Sequence, residues 1–159
     1  MGQLLKSFGK LNERLAASYV GRILEGLQYL HQNDIVHCDL QAANIFTTRD
    51  GNVKLSEFGL AHNLRTAATE KAVAGTPNWM APEVIELKGF TTKADIWSLG
   101  CTVIELVTGR PPYSDIVHSM SGGCLLQLIP HRVKLMLTRH LSHVSRCGGR
   151  HAALSREYF

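Results

Sequence analysis

The chain has no pair of cysteines at C-x-x-C spacing. Its four, Cys38, Cys101, Cys124 and Cys147, are scattered, so neither a disulfide framework nor a zinc ribbon is indicated. It also has no apolar run near the ~18 residues that a membrane span needs, and no secretory segment. The start Met1-Gly2-Gln3-Leu4-Leu5-Lys6 places a lysine where an acyl-glycine signal wants a hydroxyl residue. A soluble, cytoplasmic chain is therefore expected, without a membrane partner. Acidic and basic residues balance at 11 each over residues 1–113, and residues 114–159 add 6 basic against 2 acidic, which supplies the whole net charge of +4. Aromatic residues are absent from that basic section until Tyr158-Phe159 once Tyr113 is passed. Base stacking has little to work with there, and no nucleic-acid partner is expected.

What is present suits one folded domain: 159 residues, 45% hydrophobic and 19% charged. Gly9 is placed to stop a short helix in the left-handed conformation, and Asn12 is placed to cap the next one. From Glu13 to Gln32 the apolar residues Ala16, Tyr19, Val20, Ile23, Leu24, Leu27 and Leu30 recur at three- and four-residue steps, which predicts a helix of about five turns. Two short β-prone runs, Ile45 to Thr48 and Val53 to Ser56, flank Asp50-Gly51 and predict a hairpin. Leu60 to Val73 has no period and reads as an irregular loop. Thr92 to Thr108 is apolar over most of its circumference, which predicts a buried central helix ended by Gly109-Arg110-Pro111-Pro112. Met136 to Val144 could form a further helix. His140, His143, Cys147 and His151 fall at spacings that suit metal ligands, but Gly148-Gly149 would break the helix they need, and no metal is assigned to them.

Four motifs in order carry a resemblance. They are His37-Cys38-Asp39-Leu40-Gln41-Ala42-Ala43-Asn44, then Glu57-Phe58-Gly59 starting 13 positions after Asn44, then Gly75-Thr76-Pro77-Asn78-Trp79-Met80-Ala81-Pro82-Glu83, then Asp95-Ile96-Trp97-Ser98-Leu99-Gly100. Over about residues 2–118 the chain resembles the C-terminal lobe of STE-type serine/threonine protein kinases. Within them it is similar to the septation-initiation and plant MAP-kinase-kinase-kinase epsilon branch. The resemblance implies an α+β, mainly helical lobe, with a partial kinase domain at 1–118 and a tail at 119–159 that reads as frame-shifted sequence. G-x-G-x-x-G and V-A-I-K are absent, so the N-lobe is expected to be missing.

The implied reaction is ATP-dependent transfer of a phosphoryl group to a Ser or Thr hydroxyl of a protein substrate, with Mg²⁺. Such transfer relies on positioning and on neutralising phosphate charge. Asp39 takes the position of the catalytic Asp, Thr76 would hydrogen-bond near it, and Gln41 replaces the lysine that contacts the transferred phosphate. Asn44 takes a Mg²⁺-ligand position and Phe46 the apolar floor beneath adenine. Glu57 replaces the Asp of D-F-G, carrying its oxygens about 1.5 Å further on a longer arm. Phe58 and His37 are expected to be buried. Cys38 replaces the arginine that receives a phosphorylated loop residue such as Thr66 or Thr69, and no flanking cation makes it a reactive thiolate. A neutral amide supports the reaction less than a cation, so very low or absent activity is expected. The alternatives are a non-catalytic pseudokinase that docks a partner, and a decayed gene product without function.

Overall fold

The computed structural model describes residues 1–66 and 74–114. Thr69, the tail at 119–159, the helix expected at Met136 to Val144 and the His140, His143, Cys147, His151 pattern all lie outside the described residues. In chain order the elements are α1 (Gly2–Phe8), α2 (Glu13–Gln32), β1 (Ile35–Val36), β2 (Ile45–Thr47), β3 (Val53–Leu55), β4 (His62–Asn63), α3 (Pro82–Ile85) and α4 (Thr92–Thr108). Single 3₁₀ turns stand at Ala42–Asn44, Phe58–Leu60 and Pro77–Trp79. The described residues are thus mainly helical with four short strands.

The apolar stripe of α2 turns inward as its spacing requires, burying Ala16, Val20, Ile23, Leu24, Leu27 and Leu30. Asn12 caps it, its Oδ1 accepting the Leu15 N–H at 2.9 Å, a contact worth about 1 kcal/mol. Opposite lies α4, whose Ile96, Leu99, Val103 and Leu106 share one core with the α2 stripe, Leu40 and Ile45. Because α4 is covered on most sides, its hydroxyls need internal partners. Thr102 Oγ1 lies 2.8 Å from Ser98 O and 3.4 Å from Leu40 O, while Ser98 Oγ lies 2.8 Å from Trp79 O. Gly109 ends α4 in the left-handed conformation, φ 74° and ψ 9°, and its N–H returns to Glu105 O.

β2 and β3 pair antiparallel with Phe46 opposite Lys54, and Gly51 takes φ 76° at the turn. Two expectations are corrected. Gly9 stops α1 with φ 72° but ψ −134°, which is not the left-handed helical region; its N–H still returns to Leu5 O at 2.9 Å. Within the stretch read as irregular, His62–Asn63 forms a strand that pairs antiparallel with Ile35–Val36. Only two residues long, it is too short to show a period of two. No helix among the described residues is long and apolar enough to cross a membrane.

Candidate active site

The loop after β1 is held in place by a polar stripe on α4. Asp95, Ser98, Thr102 and Glu105 recur at steps of three and four, so they lie along one side of the helix. Asp95 is fully buried and accepts three hydrogen bonds. Oδ2 receives the His37 N–H (2.9 Å) and His31 Nε2 (2.8 Å), and Oδ1 receives the Cys38 N–H (3.0 Å). Three turns along, Glu105 Oε2 accepts the Ala42 N–H and the Trp79 indole N–H, both at 3.1 Å. Burial raises the Glu105 carboxyl above its ordinary range, with these two donors partly offsetting the shift. Thus one helix grips both ends of the 37–42 segment and the strand of chain that carries Trp79.

His37 is fully buried as expected. Its Nε2 donates to Ser56 O (2.9 Å) while Nδ1 faces the Asp39 N–H (3.3 Å), an arrangement that assigns the neutral tautomer protonated at Nε2. The ring thereby fixes the loop to the end of the β3 segment. Ser56 is tied in from its other groups too, its N–H and its hydroxyl both reaching Asn44 O, at 3.0 and 2.9 Å.

Asp39, Gln41, Thr76 and Asn44 are brought together. Asp39 Oδ1 accepts from Thr76 Oγ1 at 2.6 Å and from Gln41 Nε2 at 3.2 Å, and Oδ2 accepts from Asn44 Nδ2 at 2.8 Å. Asn44 Nδ2 also bonds the Asp39 main-chain carbonyl at 2.8 Å. A carboxylate offers about four lone-pair directions. Three are engaged, and the fourth, on Oδ2, can take one incoming hydroxyl. With its Nδ2 turned to Asp39, Asn44 keeps its carbonyl oxygen as an acceptor, the donor type that Mg²⁺ prefers.

Glu57 and Phe46 stand beside this cluster without sharing a hydrogen bond with it. Glu57 follows Ser56 in the left-handed conformation (φ 63°, ψ 57°) with an exposed carboxylate. Phe46 is 57% exposed on the outer face of β2. Phe58 departs from its expected burial: it is 46% exposed, with its ring against that of His37, centroids 5.1 Å apart. The left-handed turn at Glu57 carries the Phe58–Leu60 turn off the α2/α4 core, and none of its residues is buried.

Cys38 sits at φ 66°, a conformation costly for a residue with a Cβ. Burial, followed by the adjacent Asp95 charge, pushes its thiol up to about 12. A thiol held protonated offers no charge to a phosphate. Its carbonyl meets Gly75, where an added Cβ would lie 2.5 Å from Cys38 O with φ at 116°. Only glycine allows the 75–76 segment to approach so closely, and that approach puts the Thr76 hydroxyl on Asp39. Glu105 and Gly75 were not singled out from the sequence. The signal for Glu105 was a lone acid in the apolar run Val103 to Val107.

Comparison with known proteins agrees with this architecture. The protein kinase domain family matches residues 1–145. Cell division control protein 7 of Schizosaccharomyces pombe is 53% identical over 113 residues, 71% of this chain and 10% of that protein. MAP3K epsilon protein kinase 1 of Arabidopsis thaliana is 53% identical over 110 residues, 69% of this chain and 8% of that protein. Mitogen-activated protein kinase kinase kinase 3 of Mus musculus is 48% identical over 115 residues, 70% of this chain and 18% of that protein. The chain therefore spans 8 to 18% of the length of these relatives. With a family match over most of its length and relatives among the STE-type kinases, the chain belongs to the protein kinase domain family.

Proposed function

We propose that residues 1–118 form the C-lobe of a cytoplasmic serine/threonine protein kinase domain, followed by a separate tail at 119–159, and that this chain transfers phosphoryl groups very slowly. The observation that carries the reading is the Asp39 carboxylate, fixed by three donors and open to one hydroxyl. In this reading Asp39 accepts the hydrogen bond of a Ser or Thr hydroxyl on a protein substrate and orients it toward the phosphorus. Thr76 and Asn44 hold the carboxylate still, which is how positioned groups lower the barrier. Asn44 and Glu57 would hold Mg²⁺, and Phe46 would lie under the adenine of ATP. The Asn44 carbonyl oxygen suits that ion; the longer, exposed Glu57 arm suits it less well than an aspartate would. When bound, the ion neutralises phosphate charge.

The test is transfer of labelled γ-phosphate from Mg²⁺-ATP to a Ser/Thr peptide library. Turnover at least roughly a hundredfold below the 1–100 s⁻¹ of active kinases is expected, and Asp39→Asn should abolish it. Label transfer that survives Asp39→Asn, or turnover in the ordinary kinase range, would refute the reading. A second reading, a non-catalytic partner-binding module, is favoured by the exposure of Phe46, Phe58 and Leu60 beside the loop. It predicts a specific complex that forms equally well without nucleotide.

A further inference from the structure

We infer that the His62 ring is a positioning group that latches the segment after Glu57 to the 37–44 loop and to the chain before α4, with no phosphate needed to hold it there. Contacts to Leu60, Cys38 and Phe90 meet at this half-buried ring. Its Nδ1 lies 2.8 Å from Leu60 O. A carbonyl only accepts, so Nδ1 carries the proton and ties down the end of the turn that follows Glu57. The same nitrogen lies 3.7 Å from Cys38 Sγ, whose own proton points to Val36 O at 3.6 Å. The face of the ring stacks on Phe90, with centroids 4.1 Å apart and planes 29° from parallel.

Phe90 is a firm support because it packs against Ala81, Val84 and Ala94, the buried cluster between α3 and α4. The stack therefore adds a side-chain tie to a segment whose own strand, β4, pairs through only two residues. The resemblance places an arginine at position 38. The thiol found there is short, and the imidazole lies against it. Where the charge that draws a phosphate is missing, an aromatic stack thus supplies the hold. As a means of steadying Glu57 for Mg²⁺ the latch rests on the proposed function, whereas the stack itself does not.

The test is backbone amide exchange in the full chain. It is read at Leu64, whose N–H bonds Asp34 O just beyond β4, and at Ala61, whose N–H bonds Phe58 O in the turn. His62→Asn keeps a donor for Leu60 O and removes the ring, and Phe90→Leu removes the other half of the stack. Each should speed exchange at Leu64 roughly three- to tenfold, the span of one aromatic pair. The double variant should be no more than about twofold faster than either, because one stack is lost only once. His62→Phe keeps a ring and lacks the donor, so Leu64 should stay within about twofold of the natural chain while Ala61 exchanges faster. Thr66→Glu, which brings negative charge to the segment, should leave Leu64 within about twofold as well. Unchanged exchange in His62→Asn, multiplied effects in the double variant, His62→Phe as fast as His62→Asn at Leu64, or a marked slowing in Thr66→Glu overturns the latch.

If the variants fail to fold, the natural chain decides: rings 4.1 Å apart should show cross-relaxation between His62 and Phe90 ring protons, and its absence refutes the stack. Turnover is the separate readout. A kcat that falls in His62→Asn as Leu64 exchange rises supports both readings. An unchanged kcat with the same rise overturns the steadying of Glu57 and leaves the latch. Turnover of zero in every chain, with exchange as expected, removes phosphoryl transfer and likewise leaves the latch.

Discussion

Replacing Asp95 by asparagine perturbs the site at its anchor while changing almost no volume. The carboxylate accepts two donors on Oδ2, from His37 N and His31 Nε2, and one on Oδ1, from Cys38 N. In the better orientation the amide oxygen takes the Oδ2 place and keeps two bonds. The NH₂ then points at the Cys38 N–H, donor against donor. One charge-assisted bond is lost, about 1.5–3 kcal/mol, and buried donors are left unsatisfied, so the total comes to about 3 kcal/mol. The opposite orientation loses two bonds and is worse. With a urea m-value of about 2 kcal/mol/M, the midpoint should fall by about 1.5 M. Asp34→Asn provides the control, since the Arg65–Asp34 pair is solvent-exposed (side chains 74% and 39%) and such pairs contribute about 0–1 kcal/mol. A loss below about 1 kcal/mol for Asp95→Asn, or one equal to that of Asp34→Asn, would show that the loop is not held by this carboxylate.

Gly75→Ala should destabilise by about 3 kcal/mol or more, since its Cβ would overlap Cys38 O, whereas Gly51→Ala, with open space around it, should cost only about 1–2 kcal/mol for its positive φ. Equal losses in urea titrations would contradict the close approach. Burial raises the Glu105 carboxyl, so the folded state holds that proton more tightly than the unfolded chain does. Its contribution to stability is therefore largest below the ordinary carboxylate range and declines as pH rises through it toward the raised value. Subtracting Glu105→Gln from the natural chain at pH 4 and pH 7 should give a difference that favours the natural chain more at pH 4, and the reverse sign would refute the assignment. Finally, a Cys38 thiol pushed up to about 12 is about 10⁻⁴ thiolate at pH 8, against about a quarter for a free thiol. Peptide mapping after native alkylation should show Cys38 labelled at least roughly a hundredfold more slowly than a free thiol; comparable labelling would mean that the loop opens.

The elements that were legible are those whose signal is local. α2 and α4 match their expected bounds, Glu13–Gln32 and Thr92–Thr108, because many apolar residues repeat the helical step, and Asn12 and Gly109 act where their chemistry places them. The β2–β3 ribbon follows from Asp50-Gly51 between β-prone runs. Asp39, Gln41, Asn44 and Thr76 could be named only through the resemblance of their motifs to those of protein kinases, and the structure brings all four into hydrogen-bond contact. What was not legible depends on distant partners. β4 exists only because β1 lies beside it. Glu105 is accommodated in an apolar helix only because Ala42 and Trp79 present donors to it. Phe58 is apolar in sequence yet half exposed, because one backbone conformation at Glu57 directs the chain away from the core. The bond from Gln41 to Thr76 joins residues 35 positions apart, and no short window of sequence contains it.

The anchoring of the loop by Asp95 also sets an order of events during synthesis. Cys38 and its acceptor are 57 residues apart, and at about 5–20 residues per second a ribosome needs roughly 3–11 s to add that many. The contacts of this loop with Ser56 and Asn44 lie within residues made in that interval, but the hold on the His37 and Cys38 N–H groups is missing until the start of α4 has been made. A chain that stops between Gln32 and Asp95 would therefore lack the carboxylate that joins His31, His37 and Cys38, along with the α4 residues that complete the core of α2.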